Sequence, residues 1–143
     1  AYRTPMQWNS EKYAGFSDTQ PWLPVHSNYK AVNVEKESEA ESSMLSLYKK
    51  LIQLRKEYKV LQSGDFNFLD IANSHILAYM RYTETENAIV LLNFKNRSEK
   101  VFIPNIPSYS CLYSISNLAE INSDSGYIKL RPFDGCILYD RKP

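Results

Sequence analysis

The hydrophobic and polar positions divide the 143-residue chain into three stretches of different period. From about Ser42 to Leu61, the residues Met44, Leu47, Tyr48, Leu51, Leu54, Arg55 and Tyr58 recur at three-and-four spacing, and Leu45 and Ile52 widen the stripe. That period predicts an amphipathic helix. Lys49, Lys50, Gln53, Lys56 and Glu57 fall mainly on its other side. A hydroxyl from Ser42 or Ser43 can cap the first turn, and Glu39 and Glu41 precede it where the helix dipole favours acid. Gly64 then breaks the chain. One amphipathic helix cannot bury its own stripe, so it requires a surface to dock on.

From Asp65 the period falls to two. Ile76, Ala78, Met80 and Tyr82 alternate with Leu77, Tyr79 and Arg81, the pattern of a half-buried strand. Strands are predicted over Asp65–Asp70, His75–Thr83, Asn87–Lys95, Glu99–Ile103, Ser110–Ser116, Gly126–Leu130 and Phe133–Asp140. The polar turn Glu84–Asn87 makes a hairpin of the second and third. Further turns are predicted at Asn93–Ser98 and Pro104–Tyr109. About seven short strands with no helix between them predict an antiparallel Greek-key β-sandwich. The first forty or so residues, interrupted by Pro5, Pro21 and Pro24, read as one long connection. A loop of that length is uncommon inside a compact domain and signals function or an absent partner surface.

Composition narrows the function classes. Lys and Arg number 17 against 16 Asp and Glu, so nothing marks a nucleic-acid or anionic-membrane surface. The longest apolar run, Ala88–Leu92, is far short of a bilayer span, and Ala1–Ser10 lacks the apolar core of a signal peptide. Cys111 and Cys136 are read as a pair of buried small hydrophobes in a reducing, cytoplasmic compartment. No Cys or His spacing matches a metal-ligand set, and no cofactor motif is present.

Aromatic residues make up 13% of the chain, enough to suit a β core or a sugar surface. Tyr79, Tyr82, Tyr109, Tyr113, Tyr127 and Tyr139 motivate an alternative reading as a carbohydrate-binding or scaffolding module. Catalytic residues are not expected. The acidic residues Asp65, Asp70, Glu84, Glu86, Glu99, Glu120, Asp124, Asp134 and Asp140 fall mostly at strand ends and turns, where carboxylates are solvated by default. A retaining glycosidase needs two that face one bond. His26 and His75 are the sole histidines, and His75 is read as a surface residue in a turn.

The N-terminal stretch carries an ordered string: Arg3-Thr-Pro-Met-Gln-Trp8, Ala14-Gly-Phe-Ser17, Pro21-Trp-Leu-Pro-Val25, Asn28-Tyr29 and Asn33-Val34. It resembles the alpha-glucosidase and oligo-1,6-glucosidase branch of glycoside hydrolase family thirteen. The resemblance continues through Leu51-Ile-Gln-Leu-Arg-Lys56, Gly64-Asp-Phe66 and Ile89-Val-Leu-Leu-Asn-Phe94. Asn9 and His26-Ser27 depart from the family's usual Asp and Asn-Pro.

The resemblance implies that residues 1–62 are the last loop and helix of a (β/α)8 barrel and 63–143 its C-terminal β-sandwich. Loops at the C-terminal ends of barrel strands build the active site. Arg3 is thereby implied as a substrate-binding residue at the non-reducing-end sugar, where a permanently charged fork donates to hydroxyls and carboxylate together. A structural ion pair with a barrel carboxylate is the other reading of Arg3. Gln7, Trp8 and Phe16 are further candidates for substrate contact, with loop packing favoured for Trp8 and Trp22. The family's catalytic Asp, Glu and Asp lie upstream of these residues, so the chain is expected to be non-catalytic alone.

The parent implied is a retaining alpha-glucosidase acting on short alpha-gluco-oligosaccharides, with trehalose-6-phosphate hydrolase and trehalose synthase as rivals. The expected partners are the missing barrel, sugar only through the complete parent, and a second copy through Met44, Leu47, Leu51 and the loop aromatics.

Overall fold

The computed structural model describes residues 3–104, 109–116, 120–122 and 125–142. Residues 105–108, in the third predicted turn, and Asp124 lie outside the described residues, as does the side chain of Glu120. The chain forms two compact units, Ala1–Gln53 and Leu54–Pro143.

The second unit is an antiparallel β-sandwich. Its strands are β1 (Asp65–Phe68), β2 (Ile76–Tyr82), β3 (Glu86–Asn93), β4 (Glu99–Phe102), β5 (Ser110–Ser114), β6 (Glu120–Asn122), β7 (Tyr127–Leu130) and β8 (Gly135–Arg141). One sheet has the order β1-β2-β3-β8-β5 and the other β4-β7-β6. The predicted hairpin is present, with Ile76 opposite Asn93 and Tyr82 opposite Asn87. Thr83 shapes its turn by accepting from the Glu86 N–H at 3.0 Å. The strand absent from the sequence expectation is β6, three residues long in a polar setting. The last strand begins at Gly135 rather than Phe133, because Phe133 adopts φ 54°, in the left-handed region.

The core lies between the sheets. Ile76, Ala78, Ile89, Leu91, Cys136 and Leu138 of the larger sheet meet Val101, Ile103, Ile128 and Leu130 on the smaller side. In β2 the alternation holds, with Ile76 and Ala78 buried and Leu77 exposed. In β3 it does not, since Ala88, Ile89, Val90 and Leu91 are all buried. Ala88 faces outward from the sandwich, where Leu54, Val60 and Leu61 cover it.

That cover explains how the predicted helix ends. Helix α2 (Met44–Glu57) stops before Tyr58, whose φ of −106° and ψ of 111° are extended, and a short helix α3 (Lys59–Ser63) follows. The break lets Val60 and Leu61 turn onto the sheet. It is secured by Arg55 Nη1 donating to Leu61 O at 3.0 Å and Val60 N–H donating to Glu86 Oε2 at 3.0 Å.

Two expectations about polar groups are corrected. Asp134 is buried rather than solvated, and its carboxylate accepts from Ser116 N–H, Ser116 Oγ and Gly135 N–H at 3.1, 2.7 and 2.8 Å. Such a carboxylate organises a corner, because its lone pairs are already spent on local donors. Of the two cysteines only Cys136 is buried; Cys111 is exposed, and both are free thiols. A register shift between Cys111 and Tyr113 interrupts the alternation that placed Cys111 inside. Burial pushes the Cys136 thiol far above the usual range, so it behaves as a small hydrophobe.

Glu99 ties the start of β4 to the β1–β2 turn. It accepts from Arg97 Nε at 2.7 Å and Asn73 Nδ2 at 3.1 Å, and lies 3.0 Å from His75 Nδ1. His75 is therefore part of an inter-sheet polar latch and not a lone surface histidine. The bond from Arg97, then that from Asn73, hold the Glu99 pKa at about 2, below its ordinary 4.5. A depressed carboxylate contributes stability above the unfolded value and loses it as pH falls through the folded one. Urea unfolding of Glu99→Gln should therefore show a shallower loss of stability between pH 4.5 and about 2 than the unsubstituted chain. Equal slopes would mean that the latch carries no linkage.

Candidate functional site

The first unit presents the string from Arg3 to Trp8 on a scaffold of backbone hydrogen bonds. Trp8 N–H and Asn9 N–H both donate to Ala14 O, at 2.9 and 3.2 Å. On the string's other side, Gln7 O and Trp8 O accept from Val34 and Glu35 N–H at 2.9 and 3.0 Å. These are the first amides of α1 (Val34–Glu39), which have no partner within their own helix. Gln7 also donates from Nε2 to Val32 O. Gln7 is thus committed to holding the loop.

Asn33 makes this docking possible. Its Oδ1 caps α1 by accepting from Lys36 N–H at 3.0 Å, and its Nδ2 donates to Tyr29 O at 2.8 Å. The long connection predicted for this stretch is therefore punctuated by a six-residue helix and by a 3₁₀ turn, Lys12–Gly15. Both signals stood in the sequence: an Asn before an acidic run, and a Gly closing a short segment.

The turn is unusual, for Tyr13, Ala14 and Gly15 all have positive φ, of 55°, 57° and 63°. Ala14 is fully buried, so its carbonyl is offered to the string from a fixed place.

What the scaffold leaves open is aromatic and cationic. Arg3 and Met6 meet Phe16 and Trp22 around a cleft of ≈ 440 Å³. Trp22 also borders a second cleft of ≈ 380 Å³ with Tyr13 and Tyr29. Packing was the expectation for both tryptophans, yet Trp22 is 83% exposed and Trp8 49%. Among the described residues Arg3 has no ion-pair partner.

The early part of α2 repeats this pattern. Ser43 Oγ accepts from Ser46 N–H at 3.0 Å while Ser46 Oγ accepts from Ser43 N–H at 2.9 Å, a reciprocal cap. The acid at this helix start is Glu37, whose carboxylate accepts from Leu45 N–H at 3.2 Å, in place of Glu39 or Glu41. Met44, Tyr48, Leu51 and Ile52 of the apolar stripe are exposed.

The β unit offers less chemistry. A cleft of ≈ 700 Å³ contains Tyr109 and Tyr127 together with Asp70, Asn73 and Lys100. Tyr113 and Tyr139 instead pack against the Val60 and Leu61 cluster, and Tyr79 sits against Phe66. The six tyrosines therefore do not form one platform. Among the described residues these three clefts hold one carboxylate, Asp70, so none provides a glycosidase pair. No group of three His, Cys, Asp or Glu side chains among the described residues is placed to hold a metal ion. Among those residues no helix is long and apolar enough to cross a membrane.

A loop and an amphipathic helix with exposed apolar side chains precede an antiparallel β-sandwich in the chain. The alpha amylase catalytic-domain family matches residues 1–64. The oligo-1,6-glucosidase of Parageobacillus thermoglucosidasius is 35% identical over 99% of this chain and 25% of its own length. The trehalose-6-phosphate hydrolase of Bacillus subtilis (strain 168) is 33% identical over 71% of this chain and 18% of its own. The crystal structure of the trehalulose synthase of Pseudomonas mesoacidophila MX-45 superposes with a TM-score of 0.86 at 31% identity, over 98% of this chain and 25% of that one. The chain belongs to the alpha-glucosidase branch of the alpha-amylase superfamily, glycoside hydrolase family thirteen. It spans about a quarter of the length of the relatives that match it from end to end.

The scaffold analysis gives a direct expectation. Asn33→Ala removes the α1 cap and the bond to Tyr29, at a cost of about 1–2 kcal/mol. Hydrogen exchange at the Lys36 amide should accelerate accordingly, and an unchanged rate would show that the helix start does not depend on Asn33.

Proposed function

We propose that this chain is the C-terminal part of an alpha-glucosidase that removes terminal alpha-linked glucose from short oligosaccharides with retention of configuration. The observation that carries this reading is the uncommitted Arg3 beside an open aromatic cleft, on a loop whose backbone is rigidly held. Support comes from the oligo-1,6-glucosidase relatives and from the catalytic-domain match over the same loop.

In this reading residues 1–62 are the last loop and helix of a barrel and 63–143 are the C-terminal β domain. Arg3 donates to the hydroxyls of the non-reducing-end glucose, and the nucleophile and acid come from the barrel. Alone, the chain is non-catalytic in this reading, in keeping with the three clefts, none of which has a carboxylate pair among its described lining residues. The free thiols favour a reducing, cytoplasmic setting. A trehalose-6-phosphate hydrolase is the second reading, supported by the Bacillus subtilis relative.

A chimera tests both. Residues 1–143 replace the matching segment of the Parageobacillus thermoglucosidasius enzyme, and isomaltose and trehalose 6-phosphate are assayed side by side. Isomaltose hydrolysis that Arg3→Ala lowers at least roughly tenfold in kcat/KM is expected, the scale of a lost charge-assisted contact. Turnover by the isolated chain that a substitution within residues 1–143 abolishes would sink the proposal, as would an Arg3→Ala chimera that behaves like its parent.

The isolated chain should also self-associate, since Met44, Leu51, Trp8 and Trp22 leave apolar surface uncovered. Sedimentation should show a concentration-dependent oligomer that Leu51→Glu dissociates. A clean monomer at high concentration would count against it.

A further inference from the structure

The left-handed turn beside the string is costly. A left-handed conformation is unfavourable for an L-residue, and only surroundings that over-determine it keep it in place. Here Tyr13 and Ala14 both adopt it, immediately before Gly15. Residues held this way concentrate at ligand sites, so the outlier itself raises the question of function.

The geometry shows what holds the turn. The Asn9 side chain accepts from Glu11 N–H at 3.1 Å and lies across Gly15. A Cβ on Gly15 would meet Asn9 Oδ1, Nδ2 and Cγ at 2.6, 2.7 and 2.8 Å. Position 15 therefore excludes a side chain on two counts, the positive φ and the amide packed over it. The same turn delivers Ala14 O to Trp8 and Asn9, and directs the chain from Tyr13 at one cleft to Phe16 at the other.

We propose that Asn9 and Gly15 are positioning residues for sugar binding: the Asn9 amide packed over a glycine locks the left-handed turn, and the turn sets the Arg3–Trp8 string and Phe16 around the Arg3 cleft. The proposal rests on the reading of Arg3 as a sugar contact. It goes beyond that reading by placing affinity in two residues that need not touch sugar. Their effect falls on binding that ground and transition states share, so it moves KM and spares kcat.

The test uses the same chimera, with kcat and KM for isomaltose and the melting temperature measured for Gly15→Ala, Asn9→Ala and the double variant. Gly15→Ala should raise KM on the order of tenfold, the scale of one weakened charge-assisted contact, with kcat within about twofold. In the double variant the methyl group added at position 15 no longer meets an amide, so KM should fall back part of the way. If Gly15→Ala does not fold, Asn9→Ala decides, since it keeps the glycine and removes only the lock; its KM should rise about threefold. An unchanged KM in both single variants overturns the proposal. So does a fall in kcat and melting temperature that the double variant does not relieve, which is the mark of a merely structural turn. When Arg3→Ala raises KM and neither positioning variant does, this inference alone fails. When Arg3→Ala is also silent, or the unsubstituted chimera is inactive, the underlying reading fails with it.

Discussion

Strand β3 is buried on both faces, and the β unit is assembled around that constraint. Ile89 and Leu91 face the smaller sheet, while Ala88 meets Leu54, Val60 and Leu61 on the opposite side. A strand covered twice requires three layers: the small sheet, the large sheet and a helical cap. The cap comes from the end of α2 and from α3, which is why the helix breaks at Tyr58 before it resumes. Ala at position 88 suits the arrangement, because a larger side chain there would hold the cap away from the sheet. The β unit thus takes its last layer from residues that the catalytic-domain family also matches.

The N-terminal unit follows a different logic. It has few buried apolar side chains, and its order comes from backbone groups used as partners. The carbonyls of Gln7 and Trp8 satisfy helix amides, and the carbonyl of Ala14 satisfies Trp8 and Asn9 in return. Such a framework fixes the path of the chain while spending little side chain, which leaves Arg3, Phe16 and Trp22 available to face outward. The uncovered stripe of α2 and the open loop aromatics are then two aspects of one condition. Both expose apolar side chains to solvent.

Much of this was legible in the sequence. Alternation in β2 and three-and-four spacing in α2 each reflect one buried face, and a single chain records that faithfully. The string from Arg3 to Trp8 carried the family, because an ordered run of specific residue types is far more distinctive than a hydrophobic period, and the relatives bear it out. Legibility failed where one residue's environment depended on remote ones. Asp134 looked solvated because acids at turns usually are, but Ser116, just past the end of β5, donates to it twice. Cys111 looked buried until a shifted register turned it outward. The tryptophans looked like packing, yet they are open to solvent.

The sequence by itself determined the elements and the family, since each is written in local spacing or in an ordered string. Tertiary structure alone decided how those parts are held. The left-handed turn at Tyr13–Gly15, the amide of Asn9 across its glycine and the Glu99 latch between sheets all join residues that no period links. Their reason is geometric: a carbonyl or an amide acquires its partner only when the chain has folded back to present one, and no run of neighbouring residues encodes that return.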